Sequence, residues 1–168
     1  MTANASTFDT QDGPLSVIVD SRSVLASGWT SQFSELLALI DRRLRPVGMV
    51  FRESDFLGRV EQAVRGFYAG DCTAPSMIPV HQHGGPFHRQ VWDCLRDTSV
   101  GQHLTYSELA QLAGNSRAVR AAGAACATNA AALFIPCHRV LRSDKTLGGF
   151  RYGLEIKQSL LNREARSI

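Results

Sequence analysis

Long hydrophobic segments are absent from this sequence of 168 residues, and no apolar run approaches the length that a membrane-spanning helix requires. The first residues are polar and lack the basic start and the apolar core of a secretory signal. The sequence has only four cysteines, at a spacing that is not typical of a secreted disulfide framework: Cys72, Cys94, Cys126 and Cys137. These absences predict a protein of the reducing cytoplasm.

A strong charge of either sign is also lacking, because the formal net charge is only +3. The charge is unevenly distributed along the chain. Residues 85–168 carry 11 Lys and Arg against 6 Asp and Glu, whereas residues 1–84 carry 7 against 9. A basic half joined to a mildly acidic half predicts that only the C-terminal half meets a polyanion such as a nucleic acid, although many small basic domains bind none.

The N-terminal half is predicted to be a small α/β domain. A polar stretch ending in Gly-Pro predicts a flexible tail over residues 1–13, and the domain is expected to span residues 14–80. Alternating β-branched residues predict a hairpin of two strands, and apolar residues at helical spacing predict two helices. The expected bounds are 15–20 and 24–29 for the strands and 33–44 and 55–69 for the helices.

Residues 71–86 contain three prolines and a Gly-Gly pair and are predicted to connect the two halves, with the linker itself at 81–86. A zinc site is one hypothesis for this region, because three histidines and a cysteine lie close in sequence: His81, His83, His88 and Cys72. They lack the paired spacing that holds zinc on a rigid element. We therefore expect no metal.

The C-terminal half, residues 87–168, is predicted to be mainly helical. A first helix opens at Pro86, since proline suits the first helical turn. Thr105 and Glu108 form a capping box for a second helix, and a glycine turn leads into a third, so that the last two form a helix-turn-helix. The three helices are expected over 86–96, 106–113 and 116–128.

The segment Pro136-Cys137-His138-Arg139-Val140 carries the strongest chemical signal in the chain. The apolar run 132–135 before it predicts a buried strand, and Pro136 ends that strand, so that Cys137 lies at its tip. The cationic neighbours of Cys137 favour its thiolate and hence nucleophilic chemistry. A buried structural cysteine is the alternative interpretation.

This segment and its surroundings resemble the family of O6-alkylguanine-DNA alkyltransferases, suicide DNA-repair proteins that transfer an alkyl group from guanine to a cysteine. The match covers about the last 84 residues and includes motifs on both sides of the signature: Gly101-Gln102, Thr105-Tyr106, Ala118-Val119-Arg120-Ala121, Asn129, Gly148-Gly149-Phe150 and Glu164. The resemblance implies an α/β protein, with a small RNase H-like N-terminal domain and a mainly α-helical, winged-helix-like C-terminal domain.

The resemblance implies catalytic roles for four residues. Cys137 is the nucleophile that takes the alkyl group in an SN2 displacement. His138 assists through an intervening water, and Glu164 orients the far nitrogen of His138. Tyr106 pushes against the phosphate of the target nucleotide and donates a hydrogen bond to the leaving guanine. Without the resemblance, Glu164 would be a surface charge and Tyr106 a partly buried residue of a first helical turn. No cofactor is expected.

The helix over 116–128 is rich in alanine, which by itself indicates tight helix packing as readily as DNA binding. In the family that it resembles, this helix lies in the minor groove, and an arginine matching Arg120 fills the gap left by the extruded base. The other expected DNA contacts are Thr105, Tyr106, Ser116 and Arg117. The expected partner is double-stranded DNA containing O6-alkylguanine, bound without sequence preference by a monomer, with cooperative binding along the DNA left open. No membrane partner is expected.

The resemblance also implies a pocket for the alkyl group. Asn129 braces the turn before the active-site segment, to which Pro136 belongs, and the far wall comes from Gly149, Phe150 and Arg151. Two features depart from the family. Phe150 stands where tyrosine is usual in the family. Residues 130–132 are all alanine, whereas the corresponding segment of the family often begins with proline directly after the asparagine. Both departures bear on substrate range and rate.

Three other functions compete with alkyl transfer. A non-catalytic binder of alkylated DNA would lack the reactive cysteine, and Cys137 argues against it. A helix-turn-helix transcription regulator would need a recognition helix with varied polar side chains rather than alanine. A cysteine hydrolase would need a direct contact between cysteine and histidine, which adjacent residues of an extended chain do not make. The fate of Cys137 distinguishes them: alkylated, merely buried or acylated.

Overall fold

The N-terminal half is built on a four-stranded sheet. The computed structural model describes all residues from 1 to 168. Strands β1 (Thr2–Thr10), β2 (Gly13–Val19) and β3 (Val24–Gly28) are antiparallel neighbours, and β4 (Gly48–Val50) pairs parallel to β1. The order across the sheet is β3-β2-β1-β4. The α/β class expected from the sequence is confirmed.

Strand β1 corrects the prediction of a flexible tail over residues 1–13. It pairs with β2 in an unbroken antiparallel register over its residues 4–10. Its buried positions near the N-terminus are Ala3 and Ala5, and the residues between and around them are polar or exposed. Because alanine contributes little hydrophobic signal, the alternation that marks a strand is too weak here to predict one.

The remaining N-terminal elements follow the prediction more closely. Strands β2 and β3 confirm the hairpin, with bounds that differ by at most two residues. Helix α1 (Phe33–Leu39) is shorter than predicted because the backbone becomes extended at Ile40. Helix α2 (Asp55–Tyr68) is capped by the side chain of Ser54. Its buried face is the one that the periodicity indicates, with Phe56, Val60, Val64 and Phe67.

The connection between the halves begins on the edge of the sheet. After a 3₁₀ turn at Ala74–Met77, Val24 of β3 donates its N–H to Pro79 O and accepts a hydrogen bond from His81 N, each at 2.9 Å. Residues 82–85 then run without helix or strand to the next helix. The predicted linker 81–86 is therefore attached to β3 at its first residue.

The C-terminal half is mainly helical, as expected. Two short parallel strands, β5 (Leu104–Thr105) and β6 (Val140–Leu141), connect the start of one helix to the segment after Cys137. The four helices are α3 (Pro86–Arg96), α4 (Tyr106–Leu112), α5 (Val119–Ala127) and α6 (Leu154–Arg166). Both hydrogen bonds of the predicted capping box at the start of α4 are present. No helix is long and apolar enough to cross a membrane.

The segment before Cys137 is a tight turn and not the predicted strand over 132–135. Leu133 has a positive φ of 75°, and Ile135 N donates to Ala131 O at 2.8 Å. Cys137 then opens a 3₁₀ turn over Cys137–Arg139. The whole run is buried, so its apolar composition correctly indicates burial, but composition alone does not distinguish a strand from a buried turn.

The same turn is joined to the N-terminal sheet through the outer edge of β3. Ser27 N donates to Ala130 O at 2.8 Å, and Ala132 N donates to Ser27 O at 3.2 Å. The Ser27 hydroxyl adds a hydrogen bond to Ala132 O at 2.5 Å. Buried apolar side chains from both halves belong to one continuous cluster. The N-terminal half therefore contacts the active-site turn directly.

Candidate active site

Cys137 lines a cavity of about 590 Å³ and is itself only partly buried. The sequence-predicted pocket residues Asn129, Gly149, Phe150 and Arg151 line the same cavity. Pro136 is buried immediately before the cysteine and does not line the cavity. The other lining residues are Tyr106, Gly123, Cys126, Ala127, Ala132 and Tyr152. Seven of these eleven residues are hydrophobic, which suits a small apolar group beside the sulfur.

His138 and Glu164 form a buried hydrogen-bonded pair next to Cys137 in the chain. His138 Nε2 lies 2.8 Å from Glu164 Oε1, and both side chains are 1% exposed. An ionised carboxylate only accepts hydrogen bonds, so Nε2 carries a proton. Burial lowers the pKa of His138, although Glu164 opposes that effect, and the imidazole is neutral at pH 7. Its buried Nδ1 hydrogen-bonds to no protein atom and is therefore the basic nitrogen.

Arg139 shares the carboxylate of Glu164. Its Nη2 lies 2.8 Å from Oε1 and its Nε lies 3.0 Å from Oε2, while Nη1 donates to Thr98 O at 2.9 Å. Burial disfavours a charge on Glu164, but the hydrogen bonds from His138 and Arg139 and the positive charge of Arg139 outweigh it and lower the pKa of Glu164 to about 2. Glu164 is therefore an anion throughout the neutral pH range.

The thiol of Cys137 has a raised pKa, and burial is the cause. A hydrogen bond from Asn129 and the positive charges of Lys157 and Arg151 oppose the effect without cancelling it. The expectation that neighbouring cations keep Cys137 as a thiolate is therefore wrong. The guanidinium of Arg139 is paired with a carboxylate instead, and desolvation outweighs the other cations. At rest Cys137 is a thiol, so it would have to lose its proton to act as a nucleophile.

Asn129 is buried and bridges both ends of the active-site turn. Its Nδ2 donates to Ile135 O at 3.0 Å and lies 3.3 Å from Cys137 Sγ. Its Oδ1 accepts a hydrogen bond from Ala131 N at 3.1 Å. Because the same amide contacts both the backbone of the turn and the sulfur, the turn and the nucleophile are positioned together.

Tyr106 is the first residue of α4 and faces the cavity. Burial raises the pKa of its phenol, so the hydroxyl keeps its proton at neutral pH and is able to donate a hydrogen bond. Two glycines lie beside the ring. A Cβ at Gly123 would lie 4.0 Å from Tyr106 Cδ1, and a Cβ at Gly148 would lie 3.4 Å from Cε2. The structure brings Tyr106 and Cys137 to one cavity.

The far side of the cavity is an aromatic wall to which the N-terminal half contributes. Trp29 contacts Phe150 and Tyr152, with ring centroids 6.0 and 5.6 Å away, and those two rings are 5.8 Å apart. The loop that carries the wall is bound by the fully buried Lys157, which donates to Gly149 O at 3.2 Å and to two other backbone oxygens. The wall is thus fixed from both halves of the chain.

The residues predicted to contact DNA divide into two groups. Three of them are exposed at or before the start of α5: Ser116, Arg117 and Arg120. Helix α5 begins at Val119 rather than at the predicted residue because Ala118 has a non-helical backbone, with φ −87° and ψ 41°. Thr105 requires a correction. It is 7% exposed and its hydroxyl accepts the N–H of Glu108, so it supports the start of α4 instead of facing outward.

Besides Trp29, sequence reasoning missed other residues of the site. Cys126 places a second thiol in the cavity, and burial strongly raises its pKa. Tyr152 follows Phe150 by two residues, a spacing that could have indicated a shared face. Gln82 hydrogen-bonds to Asn129 from the segment between the halves, and no local sequence pattern indicates this contact.

No group of three or more His, Cys, Asp or Glu side chains is arranged to hold a metal ion.

Comparisons with known sequences identify the same region. The sequence pattern described as "6-O-methylguanine DNA methyltransferase, DNA binding domain" matches residues 86–166. The chain is 33% identical over 153 residues to the methylated-DNA–protein-cysteine methyltransferase of Shigella flexneri, covering 90% of each chain. It is 45% identical over 93 residues to the bifunctional transcriptional activator/DNA repair enzyme Ada of Escherichia coli (strain K12), covering 55% of this chain and 26% of Ada.

Comparisons with solved structures extend over the whole chain. The fold is similar to that of Mycobacterium tuberculosis OGT in complex with DNA, with a TM-score of 0.80, 26% identity and coverage of 98% of this chain and 94% of the other. The O6-methylguanine-DNA methyltransferase of Pyrococcus kodakaraensis strain KOD1 gives a TM-score of 0.74 at 22% identity, covering 96% and 98%. The latter similarity shows the fold alone.

Proposed function

This chain belongs to the methylated-DNA–protein-cysteine methyltransferase family, and we propose that it repairs DNA by transferring the alkyl group of O6-alkylguanine, chiefly O6-methylguanine, to Cys137. The observation that carries the proposal is that Cys137 lines an apolar cavity and is next in the chain to a buried His138–Glu164 pair. The product is a thioether, which ordinary thiol chemistry does not reverse. Each molecule therefore acts once, and the reaction needs no cofactor.

The reaction is an SN2 displacement at the alkyl carbon. Cys137 Sγ forms a bond to that carbon as the bond between the carbon and guanine O6 breaks, and the electron pair of the broken bond stays with guanine. The thiol proton passes to His138 Nδ1 through an intervening water. The departing guanine takes one proton from water, and His138 afterwards releases the thiol proton to water, so that both the protein and the guanine end uncharged. The Tyr106 hydroxyl, which remains protonated at neutral pH, donates a hydrogen bond to the leaving guanine.

Glu164 makes proton transfer from the thiol favourable. When His138 takes the proton, a positive imidazolium forms in a buried site, where an unpaired charge is strongly disfavoured. The carboxylate 2.8 Å from Nε2 is already ionised, because its pKa is about 2. Glu164 therefore both fixes the proton on Nε2 and stabilises the imidazolium. Arg139 holds the carboxylate in this orientation.

The proposed DNA-binding element is α5, entering the minor groove. Its alanine and glycine side chains make the helix narrow, and Arg117, Arg120 and Ser116 are exposed around its start. Arg120 fills the space that the flipped nucleotide leaves in the stack, because a guanidinium stacks on bases as well as carrying charge. The contacts are to phosphates and groove shape, so binding is independent of sequence. The binding unit is a monomer.

The finer description of the fold is also part of the proposal. The sheet order β3-β2-β1-β4, with three antiparallel strands and a parallel fourth, supports an RNase H-like N-terminal domain. Helices α4 and α5 with strands β5 and β6 support a winged-helix-like C-terminal domain. The two domains, 14–80 and 87–168, meet at the linker 81–86, and β1 extends the first of them. The proposed location of the protein is the cytoplasm.

A titration tests the single use of each molecule. The protein is mixed with an excess of duplex oligonucleotide that contains one O6-methylguanine, and the guanine restored is counted by chromatography of the digested nucleosides. We expect restoration to stop when one guanine has been restored per protein molecule, and the duplex lacking the lesion serves as the control. Continued restoration beyond that point, or none at all, would contradict the proposal.

A further inference from the structure

Gln82 forms a two-point hydrogen bond with the active-site turn from outside the C-terminal half. Its Nε2 donates to Asn129 Oδ1 at 2.9 Å, and its Oε1 accepts the N–H of Ala130 at 2.8 Å. One side-chain amide therefore contacts both the side chain of Asn129 and the backbone that follows it. Gln82 belongs to the segment between the halves and is not part of the cavity that contains Cys137.

The opposite end of Asn129 contacts the nucleophile. Its Nδ2 lies 3.3 Å from Cys137 Sγ and donates to Ile135 O at 3.0 Å. Its Oδ1 has two donors, Gln82 Nε2 and Ala131 N. Ala131 is part of the turn itself and moves with it. Gln82, in contrast, lies outside the turn and follows His81, which is hydrogen-bonded to β3. Gln82 is thus the external contact that sets where the Asn129 amide lies relative to the sulfur.

Gln82 has a rigid base. The residue before it, His81, donates its N–H to Val24 O of β3 at 2.9 Å. The turn that Gln82 contacts is bound to the same strand, because Ser27 N donates to Ala130 O at 2.8 Å. Strand β3 therefore sets the distance between Gln82 and the turn, and β3 lies in a sheet of four strands.

The identity of residue 130 makes the contact possible. Alanine has a backbone N–H, and Ala130 is 3% exposed, so this donor needs a partner inside the protein. Gln82 Oε1 is that partner. A proline at position 130 would have no N–H to donate and would itself restrict the backbone. In this chain the side-chain amide of Gln82 restrains the backbone at residue 130 by a hydrogen bond, where a proline would restrain it by its ring.

We propose that Gln82 is a positioning residue for alkyl transfer, which acts through Asn129 to hold Cys137 Sγ in the line of attack. The proposal deepens the function proposed above and rests on it. It assigns a task to the N-terminal half of the chain: strand β3 and the segment after Pro79 hold the active-site turn through one side chain.

The test is Gln82→Leu, which has a similar size and no hydrogen-bonding group. We expect the rate of methyl transfer at saturating duplex to fall about tenfold, the effect of losing about one well-formed hydrogen bond, while DNA affinity stays within about twofold. The matched control is Gln90→Leu on α3, where an exposed glutamine lies near Cys94 and far in the chain from the turn. The control is expected to keep the wild-type rate.

A second variant covers the case in which Gln82→Leu does not fold. Gln82→Glu keeps an oxygen for the Ala130 N–H but has no donor for Asn129 Oδ1. We expect it to fold, by thermal denaturation, and to transfer the methyl group as slowly as the leucine variant. A folded Gln82→Glu protein with the wild-type rate would overturn the proposal, because the contact with Asn129 would then carry no positioning function.

A measurement without DNA separates this proposal from the one on which it rests. Iodoacetamide alkylates the Cys137 thiol without any DNA, and peptide mass mapping gives the rate of that alkylation at each pH. The rate reports the reactivity of the thiol alone. Because the Asn129 hydrogen bond lowers the pKa of Cys137, both Gln82 variants should need a higher pH for the same rate. An unchanged profile would overturn the role of Gln82. If the pH profile of alkylation shifts but no methyl group is transferred from O6-methylguanine, the positioning role of Gln82 would be supported and the repair function would be overturned.

Discussion

Cys137 and His138 are both neutral at rest because burial acts in opposite directions on an acid and a base. It raises the pKa of the thiol and lowers that of the imidazole, so each group favours its uncharged form at pH 7. The site therefore protects the nucleophile until a substrate is bound. In the proposed mechanism, the ionised Glu164 then stabilises the charge that proton transfer creates on His138.

This neutral pair predicts the pH dependence of transfer. The rate of a single turnover at saturating duplex should be constant near pH 7 and should fall in acid only below pH 6.5, the ordinary pKa of histidine, because burial lowers the pKa of His138. The rate is measured by quenching reactions at a series of pH values between about pH 5 and 8, which span that pKa. His138→Gln is the control: its transfer should be slow, and its rate should not fall further in acid. An acid limb centred above 6.5 would contradict the assignment.

Glu164 also contributes to stability. Glu164→Gln leaves the buried Arg139 without its counter-charge, and we expect a loss of about 3–5 kcal/mol in the free energy of unfolding at pH 7, measured by urea denaturation. The control is Glu155→Gln, at an exposed position in the first turn of α6, which should cost about 1 kcal/mol or less.

The pH dependence of the same comparison has a definite sign. The pKa of Glu164 is lowered in the folded protein from 4.5 to about 2, so its contribution is complete above 4.5 and is lost as the pH falls toward 2. The difference in stability between wild type and Glu164→Gln should shrink over that interval. A difference that stayed constant there would mean that Glu164 contributes no charge-dependent stability.

At the scale of elements, signals that are local in sequence predict local structure well. The capping box of α4 and the apolar face of α2 are both present as predicted. Two elements were predicted wrongly because their conformation depends on distant partners. Strand β1 has small buried residues and is ordered by β2, and the run 132–135 is folded into a turn by Asn129 and the edge of β3.

Alanine substitutions at two glycines, Gly123 in α5 and Gly148 in the loop after β6, should change stability in opposite directions. In Gly123→Ala the new Cβ would lie 4.0 Å from Tyr106, an ordinary contact, and alanine favours a helix, so stability should rise by about 0.5–1 kcal/mol. In Gly148→Ala the φ of +70° disfavours a side chain, and stability should fall by about 1 kcal/mol or more. Urea denaturation measures both. Equal effects of the two substitutions would contradict the described geometry.

At the scale of the whole molecule, the active site is shared between the halves. The positions of the proposed nucleophile and its proposed acid–base partners were predictable because the signature is contiguous, Pro136 to Val140, with Glu164 matched by resemblance. Trp29 and Gln82 were not predictable as site residues. They reach the active-site region only through the packing of β3 against the turn, which no spacing in the sequence records.

The shared site predicts that a change in the N-terminal half alters the pocket. In Gly28→Ala the new Cβ would lie 2.0 Å from the Tyr152 hydroxyl oxygen and 2.1 Å from Cζ, so the ring must leave its place in the wall. We expect a loss of about 1–3 kcal/mol in stability and a slower transfer of the methyl group. Gly48→Ala, with no atom within 4 Å of the new Cβ, is the control. A wild-type rate in Gly28→Ala would show that Tyr152 does not shape the site.

The central claim is that Cys137 is the acceptor, and the most direct measurement is mass spectrometry after reaction with a duplex containing one O6-methylguanine. We predict that intact protein gains the mass of a single methyl group and that peptide mapping places it on Cys137. Cys137→Ser should gain nothing, whereas Cys126→Ser, which removes the other thiol of the cavity, should still be methylated. A methyl group on Cys126, or an unmodified protein that still binds the duplex, would contradict the account.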